Sequence, residues 1–122
     1  MANSKTWGAR IRKACKEAGT YRAYFEHTIR ILAEIMERRD LALEQFELSG
    51  GKPVVAHTNR GGSTNLEKNP TLMVAADCEK TALTYWKELG LTPAGLKRID
   101  EESMKAQKKA KGFGDLIEQM ME

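Results

Sequence analysis

The sequence predicts an all-α fold in which a long helical hairpin forms the core and a short helix lies at each end of the chain. Apolar residues recur at helical spacing through most of the 122 residues. Gly and Pro fall at the ends of these apolar segments, and an Asn-Pro pair and a Thr-Pro pair mark two helix starts. A glycine-rich loop at residues 49–69 connects the two arms of the hairpin.

The first predicted helix is short and basic. Ser4 is the expected N-cap, and Gly19 supplies the left-handed residue that ends the helix. Apolar residues from Trp7 to Ala18 fall on one stripe, at spacings of four, three and four, so this side is expected to pack on the protein. Residues 1–22 hold six basic side chains and one acidic side chain. This balance predicts a polyanionic partner, and the alternative is ordinary solubilising charge.

The second predicted helix is long, because neither Gly nor Pro occurs between Thr20 and Gly50. With Thr20 as its N-cap it covers residues 20–48, which corresponds to roughly 40 Å at 1.5 Å per residue. Apolar side chains cover one broad face, and acidic side chains lie on the other. Arg39 interrupts the apolar face. It either extends to the edge of that face or pairs with a carboxylate of a neighbouring chain.

The loop at residues 49–69 changes composition to Gly, Pro, Asn and Ser. Within its 50–68 portion, the fragment "PVVAHT" followed by "NRGGST" predicts a small β-hairpin or an extended loop. A connection of this length inside a small domain is usually functional or mobile.

The third predicted helix covers residues 70–89. Asn69 is its N-cap, Pro70 takes the first helical position, where the missing N–H costs nothing, and Gly90 ends the helix. Apolar side chains fill well over half of its circumference, so a single partner helix cannot cover it. We therefore expect a subunit interface on this helix. The expected interface residues are Leu72, Ala75, Leu83, Tyr85 and Trp86.

A fourth, short helix is predicted over residues 93–99, again after a cap-and-proline pair. The lysine-rich linker "MKAQKKAKGFG" and a short amphipathic segment follow, so the chain divides into a helical domain at residues 1–99 and a tail at residues 100–122. The amphipathic segment resembles a peptide that docks in a groove of a partner protein, and the alternative is a tail helix that folds back onto its own core. Its expected partner-binding residues are Phe113, Leu116, Ile117 and Met120.

The sequence holds no recognisable arrangement for catalysis. His27 and His57 have no ligand-spaced companions, and neither Cys15 nor Cys78 has a basic partner in a nucleophile arrangement. We therefore predict a protein that is not an enzyme and uses no metal and no cofactor. Reduced cysteines, 30% charged residues and the lack of a signal sequence or long apolar run predict a cytoplasmic protein with no membrane contact.

The basic first helix is the better candidate site. A cationic face opposite an apolar stripe can lie against phosphates while its other side packs on the protein. This segment also has the outline of a helix-turn-helix, with a tight corner between the first helix and the next. It offers no obvious Asn or Gln to contact bases. This favours contact with the DNA backbone. The candidate DNA-binding residues are Lys5, Arg10, Arg12, Lys13, Lys16 and Arg22.

Several segments in series carry a family resemblance. A long helix beginning near "YRAYFEHTIRILAEI", a loop with Gly and Pro, then "NLEKNPTL" and "ELGLTPAGLKRI" follow one another over about residues 20–99. In this order they resemble the small subunit of tailed-phage terminases, and the pair "KNP" and "LGLTP" is the most specific part. Residues 1–19 and 100–122 lie outside the resemblance, so their candidate sites rest on charge and amphipathicity alone.

The resemblance implies a non-enzymatic, mostly helical subunit that assembles into a homo-oligomeric ring in the host cytoplasm. Such subunits bind double-stranded viral DNA near the packaging start and engage the large terminase subunit, which holds the ATPase and the nuclease. Two other functions remain open on the residues alone. One is a small helical DNA-binding transcriptional regulator that acts as a dimer, and the other is a structural or protein-interaction module without a nucleic-acid role.

Overall fold

The computed structural model describes residues 2–121, and most of this chain is helical. The helices are accompanied by a small antiparallel sheet of two strands, so the predicted mostly helical fold is confirmed and the hairpin alternative for the loop is correct. The elements in order are α1 (Ser4–Ala18), a 3₁₀ turn (Ala23–Phe25), α2 (Glu26–Leu48), β1 (Val54–Thr58), β2 (Thr64–Lys68), α3 (Pro70–Glu88) and α4 (Pro93–Met121).

Helix α2 is the centre of the fold, and both α1 and α3 pack on it. Helix α1 runs antiparallel to α2, because Ser4 contacts Glu37 whereas Arg12 contacts Glu26. The core between the three helices consists of aliphatic side chains, small residues and one thiol, with aromatic side chains packed around them. The buried core residues are Ile11, Cys15, Ile29, Leu32, Ala33, Ile35, Met36, Ala82 and Leu89.

Helix α1 ends where the sequence predicts and begins one residue away from the prediction. Gly19 adopts φ = 75°, and its N–H donates to the carbonyl of Lys16 at 3.2 Å. The N-cap is Asn3 and not Ser4, because Asn3 has extended backbone angles and its Oδ1 accepts from the N–H of Thr6 at 2.9 Å. The backbone N–H of Ser4 instead donates to the carboxylate of Glu37 on α2.

Helix α2 begins at Glu26, six residues later than the predicted start at residue 20. Thr20 is buried and does not cap α2, because its N–H donates to the carbonyl of Cys15 at 2.9 Å and so closes the end of α1. Arg22 then has an extended backbone, with φ = −139° and ψ = 141°, which no helix can pass through. The chain therefore needs the 3₁₀ turn before the long helix starts.

The hairpin is held at its base by one buried side chain, that of Asn69. Its Oδ1 caps α3 by accepting from the N–H of Thr71 at 3.1 Å, and its amide nitrogen donates to the carbonyl of Lys52 at 2.9 Å. Its own N–H donates to the carbonyl of Pro53 at 2.8 Å. One residue thus fixes both the start of α3 and the point at which the strands leave the helical body.

Helix α4 differs most from its prediction, since it continues to Met121 where the sequence predicted an end near residue 99 and a linker. No Pro follows Pro93, and the intervening Lys, Glu, Gln, Ala and Met residues have high helix propensity. Gly112 and Gly114 cost about 1 kcal/mol each relative to Ala, which weakens a helix without ending it. The boundary between residues 99 and 100 is therefore not a break in secondary structure.

Candidate nucleic-acid and protein interfaces

The candidate DNA-binding residues lie along α1 and the turn that follows it. Helix α1 buries Gly8, Ile11 and Cys15 against α2, so its remaining faces carry the basic side chains. Five of the six candidates are exposed, and Arg12 is half-buried. Among residues 2–121, none of the five exposed candidates lies within ion-pair distance of a carboxylate. The exposed candidates are Lys5, Arg10, Lys13, Lys16 and Arg22.

Arg12 is engaged within the protein. Its Nε and Nη2 donate to the two carboxylate oxygens of Glu26, at 2.8 Å each, and the hydroxyl of Tyr21 donates to the same carboxylate. These hydrogen bonds from Arg12, and then from Tyr21, lower the pKa of Glu26 to about 2. The bond to Glu26 also raises the pKa of Arg12 and of Tyr21. Arg12 is therefore a bridge between α1 and α2 and less available to an outside phosphate.

Two of the free cations rest on aromatic rings. The guanidinium carbon of Arg10 lies 5.1 Å from the centre of the Trp7 ring, and Nζ of Lys16 lies 4.9 Å from that of Tyr21. A cation held over a ring keeps its charge and part of its N–H surface open to solvent. These contacts orient the two side chains outward without neutralising them.

Polar contacts at the start of α1 also fix this helix on α2. The indole Nε1 of Trp7 donates to Oδ2 of Asp40 at 2.7 Å, and the start of α1 contacts Glu37. A carboxylate near the first turn of a helix interacts favourably with the helix dipole. Since Arg12 in the middle of α1 binds Glu26, polar links hold the basic helix on α2 at its start and at its middle. The sequence offers no signal for these links, because they join residues 14 to 33 positions apart.

A groove between α1 and α2 adds one cation, Arg30, to the candidates predicted from the sequence. Lys5 and Arg12 line it from α1, and His27 and Arg30 line it from α2. Arg30 is exposed, and its Nη2 lies 2.9 Å from Nδ1 of His27. In the sequence, Arg30 belongs to an acidic segment, so only the packing of α2 against α1 reveals that it extends the basic surface.

The expected interface residues on α3 fall into three classes. Ala75 is buried within the protomer, so no side-chain surface remains there for a neighbour. Leu72, Tyr85 and Trp86 are half-buried. Leu83 is 62% exposed. Met73, Ala76 and Leu83 lie on one exposed stripe, since they are three and seven residues apart on a helix.

Arg39 forms two ion pairs within the protomer, one with its own helix and one with α3. Its Nε lies 3.0 Å from Oδ1 of Asp40, and its Nη1 lies 3.5 Å from Oε1 of Glu79 on α3. The residue that interrupts the apolar face of α2 therefore links α2 to α3.

The expected partner-binding residues near the end of α4 are all exposed, from 41% for Ile117 to 79% for Met120. Every residue from 100 to 121 is exposed. The tail therefore does not fold back onto the core in this structure. Its apolar side chains Phe113 and Leu116 lie on the part of α4 beyond residue 99, where every described residue is exposed.

Among residues 2–121, no helix combines the length and the apolar character of a membrane span. Within the same range, no three His, Cys, Asp or Glu side chains come together in a way that would hold a metal ion.

Comparison with known protein families gives a match over most of the chain. A family model described as phage terminase, small subunit, matches residues 4–106. No curated protein sequence and no solved structure matches the chain. The matched range starts with the first residue of α1, so it contains the basic helix, and it stops within α4, before Phe113.

Proposed function

The chain belongs to the phage terminase small-subunit family, and from this premise we propose that it is a non-enzymatic packaging subunit that binds viral DNA through α1. Membership of this family indicates a role in phage genome packaging. We further propose that the chain assembles into a homo-oligomeric ring in the host cytoplasm, engages the large terminase subunit and requires no cofactor.

The observation that supports DNA binding is the row of five exposed cations on α1 and its turn, none of them paired with a carboxylate among residues 2–121. In such a row Lys and Arg bind phosphates without reading base sequence. Since Arg12 is held by Glu26, the proposed contacts are made mainly by the exposed candidates. Arg30 and His27, at the edge of the groove, extend the same surface.

A salt titration of DNA binding tests this proposal. Each phosphate that the protein neutralises contributes about −0.9 to the slope of log K against log salt concentration. Reversing the charge of Arg10 and Lys13 together should flatten the slope by roughly two such contributions. Reversal of Lys105 and Lys108 on α4 is the matched control, because it makes the same change in net charge far along the tail. Equal effects of the two double variants would contradict a site on α1.

Ring assembly is supported by the exposed stripe on α3 that contains Met73 and Leu83. The solution mass tests it, because many subunits support a ring, whereas two would support the alternative of a dimeric transcriptional regulator.

The proposed docking site for the large subunit is the exposed apolar end of α4. Deletion of residues 112–122 should abolish binding of the large subunit and leave the ring intact. An unchanged pull-down of the large subunit would contradict this docking site. The residues proposed to make this contact are Phe113, Leu116, Ile117 and Met120.

A further inference from the structure

The exposed part of α4 carries a stripe of small and apolar side chains with the spacing of a coiled coil. Successive residues of the stripe are separated by three and four positions in turn. This is the a/d pattern of a helix that pairs with another helix along its length. Every residue of the stripe is exposed, and residues 100–121 bury no side chain in the protomer. A helix with this pattern is built to be covered by a partner. The stripe consists of Ser103, Ala106, Ala110, Phe113, Ile117 and Met120.

Side-chain size varies along the stripe in a way that selects the partner. The first half is small, from Ser103 to Ala110, and the second half is large, from Phe113 to Met120. In a parallel pair of α4 helices, large side chains would face large side chains at one end, and small side chains would face small side chains at the other. The helices would then be forced apart at one end and unpacked at the other.

An antiparallel pair of the same helices fits throughout. When Ala110 lies opposite Phe113 of the second copy, Ala106 falls opposite Ile117 and Ser103 falls opposite Met120. Each large side chain then faces a small one, which is the arrangement that fills the space between two helices evenly. Because the pairing is the same in both directions, the contact is isologous and closes on two chains.

The charges of α4 favour the same orientation. The span 105–111 contains four lysines and no acid, whereas Asp115 and Glu118 follow it. In the antiparallel register, residues 105–111 lie level with residues 112–118 of the other copy, and a parallel pair would place the two lysine-rich spans together. Charge favours the antiparallel orientation less strongly than side-chain size does, since exposed charges are screened by salt.

We propose that α4 binds α4 of a second copy of this chain in an antiparallel pair, with residues 103–120 in contact. The proposal does not depend on DNA packaging, because it follows from size, charge and exposure on one helix. The pair covers Phe113, Ile117 and Met120, so a large subunit that binds there must displace the second copy.

Disulfide trapping in the full chain tests the orientation. Two variants, Ala106→Cys and Ile117→Cys, are prepared separately, one of them carrying a mass tag, and are mixed under oxidising conditions. The antiparallel register predicts a mixed disulfide between the two variants and none between copies of Ala106→Cys, whose positions lie 11 residues, or about 16 Å, apart along the pair. The unsubstituted chain, with Cys15 and Cys78, gives the background. Lys108→Cys, on the outer face of α4, is the matched control.

The outcomes of the trapping experiment separate the arrangements. A mixed disulfide well above the Lys108→Cys background supports the antiparallel pair. Self-linked Ala106→Cys indicates a parallel pair and overturns the proposal. Equal yields from all variants also overturn it, because α4 would then have no defined partner in a second copy.

A size exchange tests the packing itself. Ala106→Ile sets Ile against Ile117 of the other copy and should abolish the pair, so that the mass in sedimentation falls about twofold. Adding Ile117→Ala again sets one large side chain against one small side chain where positions 106 and 117 meet. The double variant should therefore recover the mass of the paired protein. The protomer should remain folded in both variants, because positions 106 and 117 are exposed. An unchanged mass for Ala106→Ile, or no recovery in the double variant, would overturn the proposal.

Discussion

The guanidinium of Arg12 binds the carboxylate of Glu26 through two parallel hydrogen bonds of 2.8 Å, which link the middle of α1 to the first residue of α2. This geometry is the most specific that an arginine and a carboxylate form. It fixes the orientation of the basic helix, and it also removes one cation from the surface proposed to bind DNA. The two roles lead to different predictions.

Glu26→Gln should strengthen DNA binding. The substitution releases Arg12 and removes one negative charge from the basic surface. If Arg12 then reaches a phosphate, the salt slope should become steeper by about 0.9. Glu44→Gln, which removes a carboxylate from the exposed second half of α2, is the control for net charge. Identical salt slopes for the two variants would mean that Arg12 does not reach DNA when released.

The same ion pair should make stability depend on acid pH. The pKa of Glu26 is about 2 in the folded chain and near 4.5 without its partners, so folding lowers it. A carboxylate with a lowered pKa contributes stability that is complete above pH 4.5 and is lost as the pH falls towards 2. Urea unfolding of the wild type and of Glu26→Gln should therefore differ by a constant amount above that window, and the difference should shrink within it. A difference that persists unchanged at pH 2 would contradict the shift.

Trp7→Phe should destabilise the protein by about 1–2 kcal/mol, since it removes the donor of the 2.7 Å hydrogen bond to Asp40 and keeps most of the ring. Asp40 retains its contact with Arg39 at 3.0 Å, which limits the cost. The measurement is the free energy of unfolding in urea. A double-mutant cycle with Asp40→Ala isolates the bond, and additive effects of the two substitutions would show that the bond contributes nothing.

Leu83→Asp should reduce assembly and leave the protomer folded. Leu83 is 62% exposed, so a charge there costs the isolated protomer little, within about 0.5 kcal/mol. In a subunit interface the same charge would be buried without a partner. Light scattering should show a smaller species, and circular dichroism should show unchanged helix content. Thr84→Asp, on the neighbouring exposed position, is the control, and equal assembly of both variants would place the interface elsewhere.

Helix ends that depend on local chemistry could be predicted from the sequence. The left-handed Gly19 and the Asn69–Pro70 start are signals within one or two residues, and both appear in the structure as predicted. The start of α2 could not be predicted in this way. Thr20 has the chemistry of an N-cap, but packing buries it at the end of α1, and no local pattern reveals that choice.

Some features of the candidate sites could likewise be predicted from the sequence, and others could not. The sequence is sufficient to show that residues 1–22 are basic and that α4 ends in apolar residues. It is not sufficient to show that Arg12 is held by Glu26, that Arg30 joins the basic surface or that Ala75 is buried in the protomer. These facts depend on the register between helices, which is set by packing over separations of many residues.

Two glycine substitutions on α4 should have opposite effects. A Cβ at Gly95 would lie 2.2 Å from the carbonyl oxygen of Lys87, a backbone atom, so Gly95→Ala must displace the start of α4 from the end of α3. Such overpacking typically costs about 1–3 kcal/mol, and the free energy of unfolding in urea measures it. Gly112→Ala meets nothing within 4 Å and replaces the poorer helix former. Its effect should be higher helix content in circular dichroism, with unchanged unfolding of the core. If Gly95→Ala were as harmless as Gly112→Ala, the close crossing of α3 and α4 would not exist in solution, and the direction in which α4 leaves the body would be different.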